Sequence, residues 1–327
     1  MLTVRGNKFL EEKRVNINKA ISIQHELFTI GDFIRFASSQ FNQADLFFGH
    51  GSDNAWDEAI TLVMFAISLP ASMSEQVLAY RLVDEEKQYI LSLIEQRINE
   101  GIPAAYITNQ AYFANLPFYV DERVLVPRSP IAELINKRFS PFISENQSPK
   151  RILDLCTGSG CIAIACAVAF PEAEVDAVDL STDALNVAQI NIEHHGLCEQ
   201  VIPIQSDVFS GVKDFTYDLI VTNPPYVDQE DVDALPVEYT HEPEMGLGCG
   251  EDGLDIVRKI LAQSAQHLND NGLLICEVGN SQVHVEAVYP QVPFTWIDFE
   301  FGGHGVFVLS KAQLEEFSSV FQQQLFD

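Results

Sequence analysis

The chain has 327 residues, 47% of them hydrophobic, and a formal net charge of −28. That composition excludes disorder and argues for more than one folded core. No run of about 18 uninterrupted apolar residues is present, which argues against a helical membrane span, and the opening MLTVRGNKFLEEKRVNINKA lacks the apolar centre of a secretory leader. The acidity is uneven. From residue 151 onward the only cations are Arg151, Lys213, Arg258, Lys259 and Lys311, against 29 acids, a net of −24. A surface of that sign repels phosphate backbones and attracts a basic macromolecule. The six cysteines, Cys156, Cys161, Cys166, Cys198, Cys249 and Cys276, form no CxxC pair. A reduced, zinc-free protein of the cytoplasm is expected.

The first hundred residues read as helical. Ile60, Val63, Met64 and Ile67 form one apolar stripe, and Tyr89, Ile90, Leu93, Ile94 and Ile98 form a second. Gly101 and Pro103 end the second helix. Residues 103–127 have β-rich composition and are expected to form a hairpin linking two domains, 1–102 and 128–327. A helix follows through Ile131, Leu134 and Ile135, with Ser129 as its cap and Pro130 in its first turn. Beyond Arg151 strands and helices alternate. Strands are expected at 151–155, 174–179, 201–205, 217–222 and 272–278. Helices are expected at 160–169, 181–194, 253–268 and 281–288. Phe294–Phe299 and Gly305–Leu309 read as a closing antiparallel pair. The pattern predicts an α/β fold: a doubly wound, seven-stranded, mostly parallel sheet with a smaller helical domain before it.

Two motifs carry chemistry. The first is Asp154-Leu155-Cys156-Thr157-Gly158-Ser159-Gly160-Cys161, a strand, a glycine turn and a helix start. The glycines let the backbone approach a ligand closely. Neither the third glycine of a dinucleotide fingerprint nor a phosphate loop is present. An acid ahead of the glycines suits a cationic ligand, and S-adenosylmethionine carries a sulfonium and an ammonium. Asp179, at the end of the second strand, can take the two ribose hydroxyls. Asp207 can accept from the adenine amino group, with Val208 beside the ring. The second motif, Asn223-Pro224-Pro225-Tyr226, follows the apolar strand Tyr217–Thr222. Two prolines stop a central strand and stiffen the turn where it ends. The Asn223 oxygen and a proline carbonyl can each accept one hydrogen of a planar –NH2 group, and the Tyr226 ring can lie against it.

These motifs resemble those of class I S-adenosylmethionine-dependent methyltransferases that modify planar amino groups. Leu125-Val126-Pro127-Arg128, Glu242-Pro243, Asp252-Gly253-Leu254 and Glu277-Val278-Gly279 narrow the resemblance to the HemK-type protein glutamine methyltransferases. The segments 116–135, 241–254, 274–281 and 292–307 resemble the branch acting on the third large-subunit ribosomal protein; the release-factor branch would read LIPRPDTE where this chain has LVPRSPIAE. The resemblance implies S-adenosylmethionine as cofactor, without a metal, and a basic ribosomal protein as client, with no nucleic-acid substrate and no membrane. It implies that Thr157 to Cys161 bind the cofactor's amino-acid end and Asp179 its ribose. Val208 stands where the family often has tryptophan. Asn223 to Tyr226 would hold the glutamine amide, and the helical domain would recognise the client. No general base is assigned; His241 and Glu242 are near only in sequence. The competing readings are methylation of release factors, methylation of DNA adenine, and a ribosome-assembly factor whose catalysis is incidental.

Overall fold

The computed structural model describes residues 23, 25–144 and 147–325, so the helical character expected of residues 1–22 lies outside the described residues. The chain divides into two compact units. One comprises residues up to Gln110 together with Pro236–His241; the other comprises Ala111–Leu235 and the chain from Glu242 onward. Among the described residues no helix is long and apolar enough to cross a membrane.

The first unit is helical: α1 (Ile30–Gln43), α2 (Ala55–Ala66), α3 (Asp84–Asn99) and α4 (Ala104–Thr108), with 3-10 turns at Glu75–Ala79 and Val237–His241. Thr29 and Asp32 start α1 with reciprocal hydrogen bonds, 3.1 Å to the Asp32 N–H and 2.9 Å to the Thr29 N–H. Asn54 caps α2 through two backbone N–H groups at 3.0 Å. Val63 and Met64 of the first predicted stripe are buried; so are Ile90, Leu93, Ile94 and Ile98 of the second, while Tyr89 is exposed because it sits a residue off that face. At the centre of this unit one guanidinium meets two carboxylates. Arg97 donates to Glu58 at 2.6 Å, to Glu238 at 3.2 Å and to the Phe47 carbonyl at 2.9 Å. Arg97, Glu58 and Glu238 are each no more than 2% exposed.

The second unit begins with a hairpin, β1 (Ala111–Phe113) and β2 (Leu116–Phe118), turning at Ala114 and Asn115, both with positive φ (48° and 67°). The hairpin is shorter than the 103–127 expectation. Pro103 opens a helical turn instead, and left-handed Asn109 (φ 51°) closes it. The remaining elements are α5 (Ile131–Asn136), β3 (Arg151–Leu155), α6 (Cys161–Ala169), β4 (Glu174–Asp179), α7 (Thr182–His194), β5 (Val201–Gln205), β6 (Tyr217–Thr222), α8 (Gln229–Ala234), α9 (Glu244–Leu247), α10 (Asp255–His267), β7 (Leu268–Glu277), α11 (Gln282–Val288), β8 (Thr295–Trp296), β9 (Val306–Ser310), α12 (Lys311–Glu316) and α13 (Ser318–Gln323).

The seven strands run β5-β4-β3-β6-β7-β9-β8, as the doubly wound expectation requires. All neighbours are parallel except β9, antiparallel to β7, and β8, antiparallel to β9. Successive residues serve opposite faces. Ile152, Leu219 and Val221 enter one core and Leu153, Leu155 and Ile220 the other, which is why these strands read as continuous apolar runs. Strand order reverses between β3 and β6, and at such a switch point the carboxyl ends of the strands splay to leave a crevice.

Candidate active site

The crevice is a cleft of about 310 Å³ at the carboxyl ends of the parallel strands. Gly158, Asp179, Asp207, Val208, Asn223 and Pro225 line it, and Leu125, Met245, Cys249 and Ile256 complete its wall. Asp179 anchors the glycine turn: its two oxygens accept from the Gly158 and Ser181 N–H groups, each at 2.9 Å. Burial pushes its carboxyl above the ordinary range despite those bonds. A Cβ on Gly158 would meet nothing within 4 Å, so the turn leaves room for a ligand there; one on Gly160 would lie 3.2 Å from the Ala188 Cβ, making that glycine a packing requirement. Two lining residues hold left-handed backbone without being glycine, Cys156 at φ 60° and Val208 at φ 50°. Strain of this kind collects at ligand sites.

The other predicted cofactor residues, Asp154, Thr157, Ser159, Gly160 and Cys161, lie outside the cleft lining. Asp154 is fully buried behind it, accepting from the Thr157 hydroxyl at 2.5 Å and the Ala163 N–H at 3.0 Å, both on one oxygen. Its second oxygen is buried with no partner, and so is the Ser159 hydroxyl. Cys161 opens α6, capped by Gly160. Asp207 is exposed and paired with Lys259 at 3.2 Å. The cradle fits S-adenosylmethionine: open space over Gly158, acids at the ends of β3 and β4, and a buried, unsatisfied carboxyl oxygen beneath the turn. Burial pushes Asp154 up to about 7. A group whose pKa is raised on folding loses stability as pH rises from its unfolded value toward its folded one. The ligand-free protein is therefore expected to lose stability, on the order of a few kcal/mol, between pH 4 and 7. Asp154→Asn should flatten a plot of Tm against pH over that window, and an unchanged slope would count against the assignment.

The Asn-Pro-Pro-Tyr turn closes the opposite side. Asn223 leaves β6 with its side-chain oxygen buried and unpartnered. Pro224 is buried, and Pro225 lines the cleft. Tyr226 is gripped from several directions. Its hydroxyl donates to Glu277 at 3.1 Å, and its carbonyl accepts from Ser281 Oγ at 2.6 Å. A Cβ on Gly253 would lie 2.1 Å from the same carbonyl, and one on Gly279 would lie 2.6 Å from the ring; both glycines have positive φ. Gly253→Ala combines backbone strain with this overlap and is expected to cost about 3 kcal/mol or more in a chemical denaturation experiment. A loss below about 1 kcal/mol would show that the turn can yield.

Two buried carboxylates, named from the sequence only as motif residues or as a candidate base, hold the segment 126–129, and Glu277 also holds Tyr226. Glu242 accepts from the Val126 N–H at 3.1 Å and holds Arg128 in a two-pronged pair at 2.6 and 2.7 Å. Glu277 accepts from Tyr226 and from the Ser129 hydroxyl. Ser129 also accepts from the Ile131 N–H at 3.2 Å, so the predicted helix cap has a second engagement. The signal was an acid inside the apolar run Leu273 to Val278. Of the two candidate bases, Glu242 is engaged by Arg128, and His241, in the first unit, has its Nε2 2.9 Å from the Glu100 carbonyl. Burial raises the Cys156 thiol well above its ordinary pKa, which argues against a nucleophile there.

Comparison with known proteins agrees with this geometry. The methyltransferase small domain family matches residues 140–238. A methyltransferase of Pyrococcus furiosus of known structure aligns over 59% of this chain and 88% of its own, at 19% identity and a TM-score of 0.43. The ribosomal protein uL3 glutamine methyltransferase of Neisseria gonorrhoeae is 52% identical over 289 residues, 88% of this chain and 96% of the relative. That of Neisseria meningitidis serogroup B is 51% identical over the same share of this chain and 95% of its own. With identity of this level over nearly the whole relative, and with the cleft and the Asn-Pro-Pro-Tyr turn in place, the chain belongs to the ribosomal protein uL3 glutamine methyltransferases.

Proposed function

We propose that this chain methylates the side-chain amide nitrogen of a glutamine in ribosomal protein uL3, using S-adenosylmethionine. One observation carries the reading. On a turn stiffened by two prolines, beside a cleft suited to that cofactor, the buried oxygen of Asn223 has no partner among the described residues. An amide –NH2 supplies the missing donor. The bound cofactor supplies a methyl group made electrophilic by its sulfonium sulfur.

The protein's part is to make a poor nucleophile react. An amide lone pair is delocalised into its carbonyl. Asn223 Oδ1 and the Pro224 carbonyl, accepting the two N–H hydrogens, favour charge building on the nitrogen, an interaction strongest in the transition state. The prolines hold these acceptors fixed, so little reorganisation is needed. We assign Thr157 to Cys161 to the cofactor's amino-acid end, Asp179 to the ribose, Asp207 and Val208 to the adenine, and Asp154 to positioning the glycine turn. The proton leaves to water, because the cationic amide first formed on methylation is strongly acidic.

The same reading makes the client a basic protein met in the cytoplasm, captured by the acidic catalytic half, with the helical unit as a docking surface that takes no part in the chemistry. Five cations beyond residue 150 leave little to bind a DNA backbone. The test is methyl transfer from labelled S-adenosylmethionine into uL3, a release factor and adenine-containing DNA. Label on a glutamine of uL3 is expected. Label on the release factor or the DNA instead would overturn the client. No label anywhere would favour the assembly-factor reading.

A further inference from the structure

We infer that Glu277 is a positioning residue for methyl transfer, acting through Tyr226 on Asn223. The inference rests on the function proposed above. Glu277 ends β7, adjacent to β6, whose end carries the turn. Its carboxyl is 4% exposed and is shared by two hydroxyls from separate segments, Tyr226 at 3.1 Å and Ser129. Burial raises the Glu277 carboxyl to about 7; in its ionised form it only accepts, and both hydroxyls then point at it. Ser129 is held in turn by the chain ahead of α5, where neighbouring Arg128 is clamped by Glu242.

Glycine contacts crowd the Tyr226 ring, and Ser281 holds the Tyr226 carbonyl at 2.6 Å. A Cβ on Gly279 would come 2.6 Å from the ring, and one on Gly305 would come 2.2 Å from the Gly279 carbonyl. Glu277 provides a polar tether at the ring's tip. Between Tyr226 and Asn223 stand only Pro224 and Pro225, whose φ angles are locked. A rigid link transmits displacement. If the Tyr226 tip is released, the ring and the turn can shift together, and the Asn223 oxygen leaves the position from which it accepts. An error of about 1 Å in such a group can cost on the order of 100-fold in rate. The arrangement therefore ties the exact placement of the amide acceptor to a carboxyl that never touches substrate.

The experiment compares the full chain with Glu277→Gln, Tyr226→Phe and the double variant, measuring steady-state methyl transfer to uL3 and, separately, the affinity for S-adenosylhomocysteine. Each single variant is expected to lower kcat by about 10–100-fold. Affinity for S-adenosylhomocysteine should stay within about threefold, because the tether lies outside the cofactor cleft. The double variant should be no slower than the slower single, since both changes cut one link. The inference is overturned if either folded single variant keeps kcat within about threefold of the parent, or if the two losses multiply. Should Glu277→Gln fail to bind S-adenosylhomocysteine, Tyr226→Phe, which removes one atom and keeps the ring, decides alone by the same criterion. If the parent labels a release factor and not uL3, the client assignment fails while the same comparison proceeds on that acceptor. A parent that labels no acceptor overturns both.

Discussion

Asn223→Ala is expected to abolish useful methyl transfer, lowering kcat by about 100- to 1,000-fold, the usual consequence of deleting one fixed electrostatic partner of a transition state. The affinity for S-adenosylhomocysteine should change by less than about tenfold, since Asn223 is one of many cleft residues. Buried without a partner, the Asn223 oxygen carries a desolvation cost in the free protein that folding alone does not offset. Such a cost is tolerated where a ligand later supplies the donor. Removing the amide relieves that cost, so the variant should be at least as stable as the parent. Loss of activity with unchanged or raised Tm separates this prediction from simple unfolding. A variant that retains kcat within about threefold would show that Asn223 does not engage the reacting amide.

Arg97→Ala should unfold the helical unit more readily, by about 3–5 kcal/mol. Arg97 is the sole guanidinium among three charges that are each almost fully buried, and its removal would strand both Glu58 and Glu238. The surrounding bonds would not compensate. Ser52 gives Glu58 one donor at 3.1 Å, and the Phe47 N–H gives Glu238 one at 3.0 Å. A buried carboxylate needs more than a single donor to offset lost hydration. Urea denaturation followed by probes in each unit would measure the loss, because a two-unit chain need not unfold in one step. Arg97→Met combined with Glu58→Gln and Glu238→Gln removes all three charges and should recover much of the stability. A loss below about 1 kcal/mol for Arg97→Ala would mean that water reaches the triad.

The sheet was legible in the sequence because its signals are local. Apolar runs of strand length, a glycine turn after Leu155 and a proline stop after Thr222 each declare themselves within a few residues. The cleft floor, Gly158, Asp179 and Asn223, follows from those strand ends. What was not legible depends on distant partners. Glu238 looks like one more acid in an acidic chain until Arg97, 141 residues away, is found against it. Glu277 and Ser129 are separated by 148 residues. Leu125, Met245 and Cys249 line the cleft from segments with no periodicity to mark them. Composition overextends the hairpin because β-rich residues in 103–127 do not distinguish a strand from the short helical turn that Pro103 starts.

Pro236–His241 belongs to the helical unit although the chain on both sides of it belongs to the catalytic one. The helical unit is therefore no detachable cassette. Recombination at a single point, or a truncation near residue 110, would carry off Arg97 and leave Glu238 behind on the catalytic piece. A chimera exchanging the helical unit between relatives would have to exchange a six-residue insert, Pro236–His241, downstream of Asn223-Pro224-Pro225-Tyr226 as well. For anyone exchanging the helical unit of this enzyme, the unit of inheritance is two stretches of sequence, and the second is reached only by passing through Asn223-Pro224-Pro225-Tyr226.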